Sequence, residues 1–137
     1  MAWSFGDGFD LYGAVADMDD GYWDASSNGN IVLVAGRFSG SRAASWALAS
    51  SSTLIKSSGV NDAVHHIAVA FQQTSAISGT SLGIALQLQD GTTTQCSIVF
   101  KNNGDILLAS GIPTGTVLAT YAGAVTANNT WYHFEFE

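Results

Sequence analysis

Asp17, Asp19, Asp20 and Asp24 crowd into eight residues around Gly21. Ca²⁺ takes about six to eight oxygen ligands, and an Asp-x-Asp-Asp-Gly loop can supply several of them. These four acids are the candidate metal ligands, with Ca²⁺ as the ion. The spacing departs from an EF-hand, because a loop of about twelve residues counted from Asp17 ends at Asn28 and lacks the closing glutamate. The same acids also suit a solvated turn, a setting that Asp favours. A calcium site would reveal itself by linkage, as a melting temperature that rises in millimolar Ca²⁺.

Glu135 and Glu137 are the only glutamates, two apart on one strand face. Glycoside hydrolysis needs two carboxyls set about 5–10 Å apart across the scissile bond. The run Phe-Glu-Phe-Glu offers no opposing acid, so an exposed strand face suits it better. His65 and His66 are neighbours and project to opposite faces of a strand. His133 has no Cys or His near it, and a zinc site wants about three or four convergent ligands. Gly79-Thr80-Ser81-Leu82-Gly83 is only superficially a nucleophile elbow, because Ser81 opens an alternating strand and no helix follows. No Gly-rich loop leads into a phosphate-binding Lys. Cys96 is the single cysteine, so no internal disulfide forms, and its alternating context marks it as a small packed hydrophobe. No catalytic residue is assigned, and the chain reads as a non-enzyme.

Aromatic side chains sit beside the acids. Trp3, Tyr22 and Trp23 are the candidate ligand or partner surface, since flat rings stack on apolar sugar faces and on protein partners. Trp131 lies in a strand and reads as structural. Arg37 and Arg42 are two of only four bases. Each is expected to pair with a carboxylate from the N-terminal acidic group, because an unpaired buried charge is costly.

These residues must be positioned by short strands. Ile31-Val32-Leu33-Val34-Ala35 is an apolar run that Gly36 ends, and Trp46-Ala47-Leu48 and Leu54-Ile55 are two shorter patches. Residues 43–50 have some helical propensity, yet the run is short and flanked by Ser. Ile67, Val69 and Phe71 alternate with His66, Ala68 and Ala70. Leu82, Ile84, Leu86 and Leu88 alternate with Gly83, Ala85 and Gln87. A period of two marks half-buried strands. Asp90-Gly91 suits a tight hairpin, and Asn102-Asn103-Gly104-Asp105 a second, so residues 82–109 are predicted as a three-stranded meander. Residues 116–121 and 131–137 follow as strands, the latter with Tyr132, Phe134 and Phe136 on one face. The sequence stops inside that strand, and the unpaired edge expected there would be completed either by further natural chain, the favoured reading, or by contacts in an assembly.

At 137 residues the chain has the length of one domain, expected to span 1–137 with an acidic segment over about 1–24. Only 11% of residues are charged and the net charge is −7. Four Lys and Arg are too few to neutralise phosphates, which excludes nucleic acid as partner. No stretch approaches about 18 continuous apolar residues, so no membrane insertion is expected. The N-terminus lacks a basic and an apolar signal region, so synthesis is expected in the cytoplasm. The charge is uneven: residues 1–24 hold six Asp and no Lys or Arg, and residues 25–134 are almost balanced. A body so nearly neutral suits packing in an array.

Four stretches together resemble the concanavalin A-like lectin/glucanase superfamily, the LamG-like jelly rolls, in the versions found among tailed-bacteriophage structural proteins. They are Phe5-Gly6-Asp7-Gly8-Phe9-Asp10-Leu11-Tyr12, the acidic segment from Ala16 to Asp24, Gly36-Arg37-Phe38-Ser39-Gly40-Ser41-Arg42-Ala43, and Asn129-Thr130-Trp131-Tyr132-His133-Phe134-Glu135. The resemblance implies an all-β antiparallel sandwich of jelly-roll type, incomplete at the C-terminus because family members continue with a further strand pair. It implies a non-enzymatic virion protein, a decoration, spike or tail-associated subunit made in the host cytoplasm. Its partners would be capsid, neck or tail proteins and further copies of itself, with host-surface glycans as a secondary ligand. The alternative is a calcium-dependent carbohydrate-binding module of a larger protein, and a glycoside hydrolase is the least favoured.

Overall fold

The computed structural model of the chain describes residues 9–18, 23–26, 31–46, 54–56, 64–74 and 82–137. The ten elements among them are all β-strands, and every pairing is antiparallel. The fold is therefore all-β. Two compact units divide the chain, Met1–Val64 and His65–Glu137.

In the first unit β1 (Ala25–Ser26) pairs with β4 (Leu54–Ile55), and β2 (Ile31–Ala35) forms a hairpin with β3 (Arg42–Trp46). The hairpin pairs Ile31 with Trp46 at one end and Ala35 with Arg42 at the other. The weak helical propensity from residue 43 onward yields here, because pairing with β2 supplies the backbone partners that an isolated run of Ala and Ser lacks. Residues 47–50 lie outside the described residues. The connecting loop is tied by the Gly36 N–H to Ser41 O bond at 2.8 Å and by the Ser41 hydroxyl, which donates to Phe38 O at 2.8 Å and accepts the Phe38 N–H at 2.9 Å. A Cβ on Gly36 would collide with the Ser41 hydroxyl and the Arg42 carbonyl, so only glycine closes this loop. Tyr12, Met18 and Ile31 form the buried cluster, with Phe9, Val15, Trp23, Leu33, Ala44 and Trp46 packed around it. Ile31 and Leu33 point into it while Val32 and Val34 are exposed. The apolar run thus has a period of two that its composition conceals.

In the second unit β6 (Leu82–Asp90), β7 (Thr93–Lys101), β8 (Ile106–Ser110) and β9 (Val117–Tyr121) make one sheet in sequence order. The expected three-stranded meander is present and gains β9 as a fourth strand. β5 (Ile67–Gln72) and β10 (Trp131–Phe136) make a second sheet, paired from Ile67↔Phe136 to Gln72↔Trp131. The terminal strand thus has a partner along its full length. Ile98, Phe100 and Ile106 are buried between the sheets against Ile67, Val69, Phe71, Leu86, Phe134 and Phe136. This is a β-sandwich, with the alternation read from residues 67–71 and 132–136 setting its inner layer.

Phe100 is the centre of that layer. Its ring lies 4.5 Å from Phe71, 5.6 Å from Phe134 and 6.3 Å from Phe136, centroid to centroid. Burying a side chain of this size stabilises by about 1.5–3 kcal/mol. Ser97 and Val99, on the opposite face of β7, are also buried, so both faces of this strand are covered. The first hairpin turns one residue later than expected: Asp90 pairs with Thr93, leaving Gly91 and Thr92 as the loop, with Gly91 at φ +57°. The second turn forms as expected, with Gly104 at φ +86°.

Candidate functional site

The acidic candidates are held by the turn that precedes β1. The N–H groups of Asp17 and Met18 donate to the carbonyls of Ala14 and Val15 at 3.2 and 3.1 Å. The Asp17 carboxylate accepts the Ala14 N–H at 2.7 Å in return. This is one half of a capping box, the acid reaching back to the amide three residues before it, since Ala14 has no side-chain acceptor to return the bond. The closure turns Met18 inward, where it is fully buried. Trp23 then donates its N–H to Met18 O at 3.3 Å and stacks on Phe9, 6.1 Å between centroids and 8° between planes. Asp24 donates its N–H to Ile55 O at 2.9 Å, and its carboxylate meets Lys56 Nζ at 3.1 Å.

Of the candidate ligands, Asp17 therefore accepts a backbone amide and Asp24 faces a lysine. Asp19 and Asp20 lie outside the described residues, as do Trp3 and Tyr22 of the aromatic surface. Among the described residues no three His, Cys, Asp or Glu side chains converge as a metal group. Trp23 is half-buried against the cluster of Tyr12, Met18 and Ile31.

The arginines depart from expectation, since neither pairs with a carboxylate among the described residues. The Arg42 guanidinium donates to Tyr12 O at 2.6 Å and Gly13 O at 3.0 Å, while its backbone N–H donates to the Asp10 carboxylate. Both side-chain bonds leave Nη1, so two carbonyl dipoles face the cation without a second charge to desolvate. Arg37 lies over the Phe38 ring, 5.2 Å from its centroid. It is Lys56 that takes the N-terminal carboxylate. The Arg42 anchor ties the stretch before the acidic turn to the start of β3. An open cleft of about 580 Å³ lies beside it, lined by residues 13–15 and by exposed Val32 and Val34.

The outward face of β5 and β10 carries two histidines and two glutamates. His66 Nδ1 lies 4.0 Å from a Glu137 carboxylate oxygen, and His133 Nδ1 lies 3.8 Å from Glu135. Ala68 and Ala70 form the floor between them. All four of these His and Glu side chains are substantially exposed. Each glutamate faces an imidazole, so the two carboxylates are not set as a pair across a groove.

No protein-family model, curated protein or solved structure gives a significant match to the chain. The functional reading rests on the chain's own residues.

Two anchors escape a reading by motif. One is Arg42, whose partners are carbonyls about thirty residues away and leave no spacing signature. The other is Tyr132, whose hydroxyl accepts the N–H groups of Thr126 and Ala127 at 3.1 and 2.9 Å and touches the Thr126 hydroxyl at 3.1 Å. Hydrogen bonding to Thr126, side chain first, holds its phenol below the usual tyrosine range. The signal available in sequence was Asn128-Asn129 just before Trp131, and Asn129 indeed takes a positive φ of 56°.

Proposed function

We propose that this chain is a non-enzymatic structural subunit of a tailed-bacteriophage particle, acting through protein–protein contacts, with glycan adhesion as a secondary role. The observation that carries the reading is the surface of the strands. Val32, Val34, Leu108, Val117, Leu118 and Tyr121 are exposed on β-strands of an all-β protein. Apolar strand surfaces of this kind mark interaction sites. A body with few charges adds little repulsion between neighbours, and many copies turn weak contacts into firm ones. The resemblance carried by residues 5–12, 16–24, 36–43 and 129–135 supports the particle as the place where such contacts form.

The test is intact-mass spectrometry of purified particles, with localisation of this chain by antibody labelling. It is expected as a stoichiometric component. Removing residues 1–24 takes away the acidic turn and Tyr12, and incorporation is expected to fail. Particles that lack the chain, or that incorporate the truncated form normally, would sink the proposal.

A further inference from the structure

β9 ends the four-stranded sheet, and among the described residues no strand pairs with its outer edge. All five of its residues are exposed. Val117 is 51%, Leu118 61% and Tyr121 66% exposed, and Ile112 in the loop before them is 57% exposed. Across the β8–β9 ladder, Tyr121 sits opposite buried Ile106 and Ala119 opposite partly exposed Leu108. An apolar strip thus runs from the buried cluster out to the open edge.

Edge strands are normally blunted by lysine, proline, inward charges or bulges. β9 has no charged residue and no proline, and residues 106–134 contain no Asp, Glu, Lys or Arg at all. It has one bulge, where the register shifts between Leu108 and Ala109 opposite Leu118. The regular run facing outward is therefore residues 119–121.

An open ladder edge accepts an extended strand, and the charge pattern says whose. The chain carries −7 overall, so copies repel wherever the acids face one another. The uncharged stretch is where two copies can meet without that repulsion. A two-fold axis sets identical strands antiparallel. Centred on Thr120, it places Thr120 opposite Thr120 and each Tyr121 ring opposite the small Ala119 of the other copy. Threonine pairs and aromatic packing are favourable cross-strand neighbours.

We propose that a second copy of this chain docks on β9, the two strands pairing antiparallel about Thr120 so that the two four-stranded sheets continue as one. The pairing stands on the edge geometry and charge, not on the particle proposed above.

Light scattering coupled to size-exclusion chromatography of the full chain tests it. The wild type is expected at twice its 14.3 kDa, and high salt leaves this unchanged because no charges meet. Thr120→Glu and Thr120→Lys set like charges against each other at the axis. Each alone is expected as a 14.3 kDa monomer with unchanged circular dichroism, and an equimolar mixture returns to the doubled mass. Leu118→Lys, at an exposed position, is expected to be monomeric as well and stands in should a Thr120 variant misfold. A wild type that stays monomeric at high concentration would overturn the pairing, and so would folded Thr120 variants that both remain dimeric. A monomer that still enters particles sinks only the pairing; a dimer absent from particles sinks only the particle.

Discussion

In the first unit, strands of two to five residues surround the small cluster of Tyr12, Met18 and Ile31. In the second, strands of five to nine residues enclose Phe100 and its ring of aromatic neighbours. The first unit relies on polar ties across its loops: Arg42 to two carbonyls, Asp10 to the Arg42 amide, Asp17 to the Ala14 amide and Lys56 to Asp24. The second relies on ladder length and apolar area. Hydrogen bonds of folded proteins each contribute only about 0.5–1.5 kcal/mol net, whereas a buried aromatic side chain contributes about 1.5–3. The second unit is therefore expected to be the stiffer framework, and the first to respond more to charge and side-chain chemistry.

The strongest challenge to this contrast is Phe100→Ala. It removes the centre of the sandwich and is expected to cost about 3–5 kcal/mol, read by urea denaturation at Trp131. A loss under 1 kcal/mol would mean that the aromatic layer is not the main support (roughly the level of a surface change). Arg42→Ala comes next. It strips the donors from Tyr12 O and Gly13 O and is expected to cost about 1–2 kcal/mol, read at Trp23 and Trp46. Both bonds leave one nitrogen, Nη1, so Arg42→Lys, whose ammonium can also donate to two carbonyls, is expected to recover part of the loss. An equal shift of both transitions in either variant would break the division into two separately supported cores.

Tyr132→Phe is a smaller perturbation, expected to cost about 1 kcal/mol. The amides of Thr126 and Ala127 should then exchange faster with solvent, and unchanged exchange would show that the hydroxyl does not hold them. The mildest effect belongs to Asp105. Its carboxyl is held below the usual carboxylate range, first by the Gly123 N–H and then by Asn103. A lowered folded pKa gives stability that is present above the unfolded pKa of about 3.9 and is lost as pH falls through the folded value. Asp105→Asn should therefore flatten the acid limb of the stability curve below about pH 4 while leaving neutral stability almost level in shape. An acid limb identical to the wild type, followed by circular dichroism, would remove Asp105 from the account.

The same contrast explains what could be read from residue order. In the second unit, Ile67-Val69-Phe71 and Phe134-Phe136 alternate cleanly because one face is buried and the other is wet. Asn102-Asn103-Gly104-Asp105 carries its turn chemistry within four residues. The hairpin at Asp90-Gly91 was legible in kind and displaced by one residue, since a register shift between Leu88 and Gln89 moves the pairing along. The first unit was harder. β1 and β4 are two residues long, too short to show a period, and β2 is apolar on both faces. The arginine partners were misjudged because a carboxylate is visible in sequence as a charge, whereas a carbonyl belongs to every residue. The acids of the candidate site were visible as a cluster, but the amide and lysine that occupy Asp17 and Asp24 come from the fold.

The pairing of β5 with β10 has a consequence for how the protein reaches this structure. The four strands of the meander lie between them in the chain, and each meets its neighbour through a short connection. Those hairpins can close within microseconds, but the second sheet requires two strands from the far ends of the unit to find each other. Until they do, Phe100 has no ceiling. The meander is thus expected to assemble early with an exposed aromatic surface, and the arrival of β10 beside β5 to be the slow event that commits the unit to its native state.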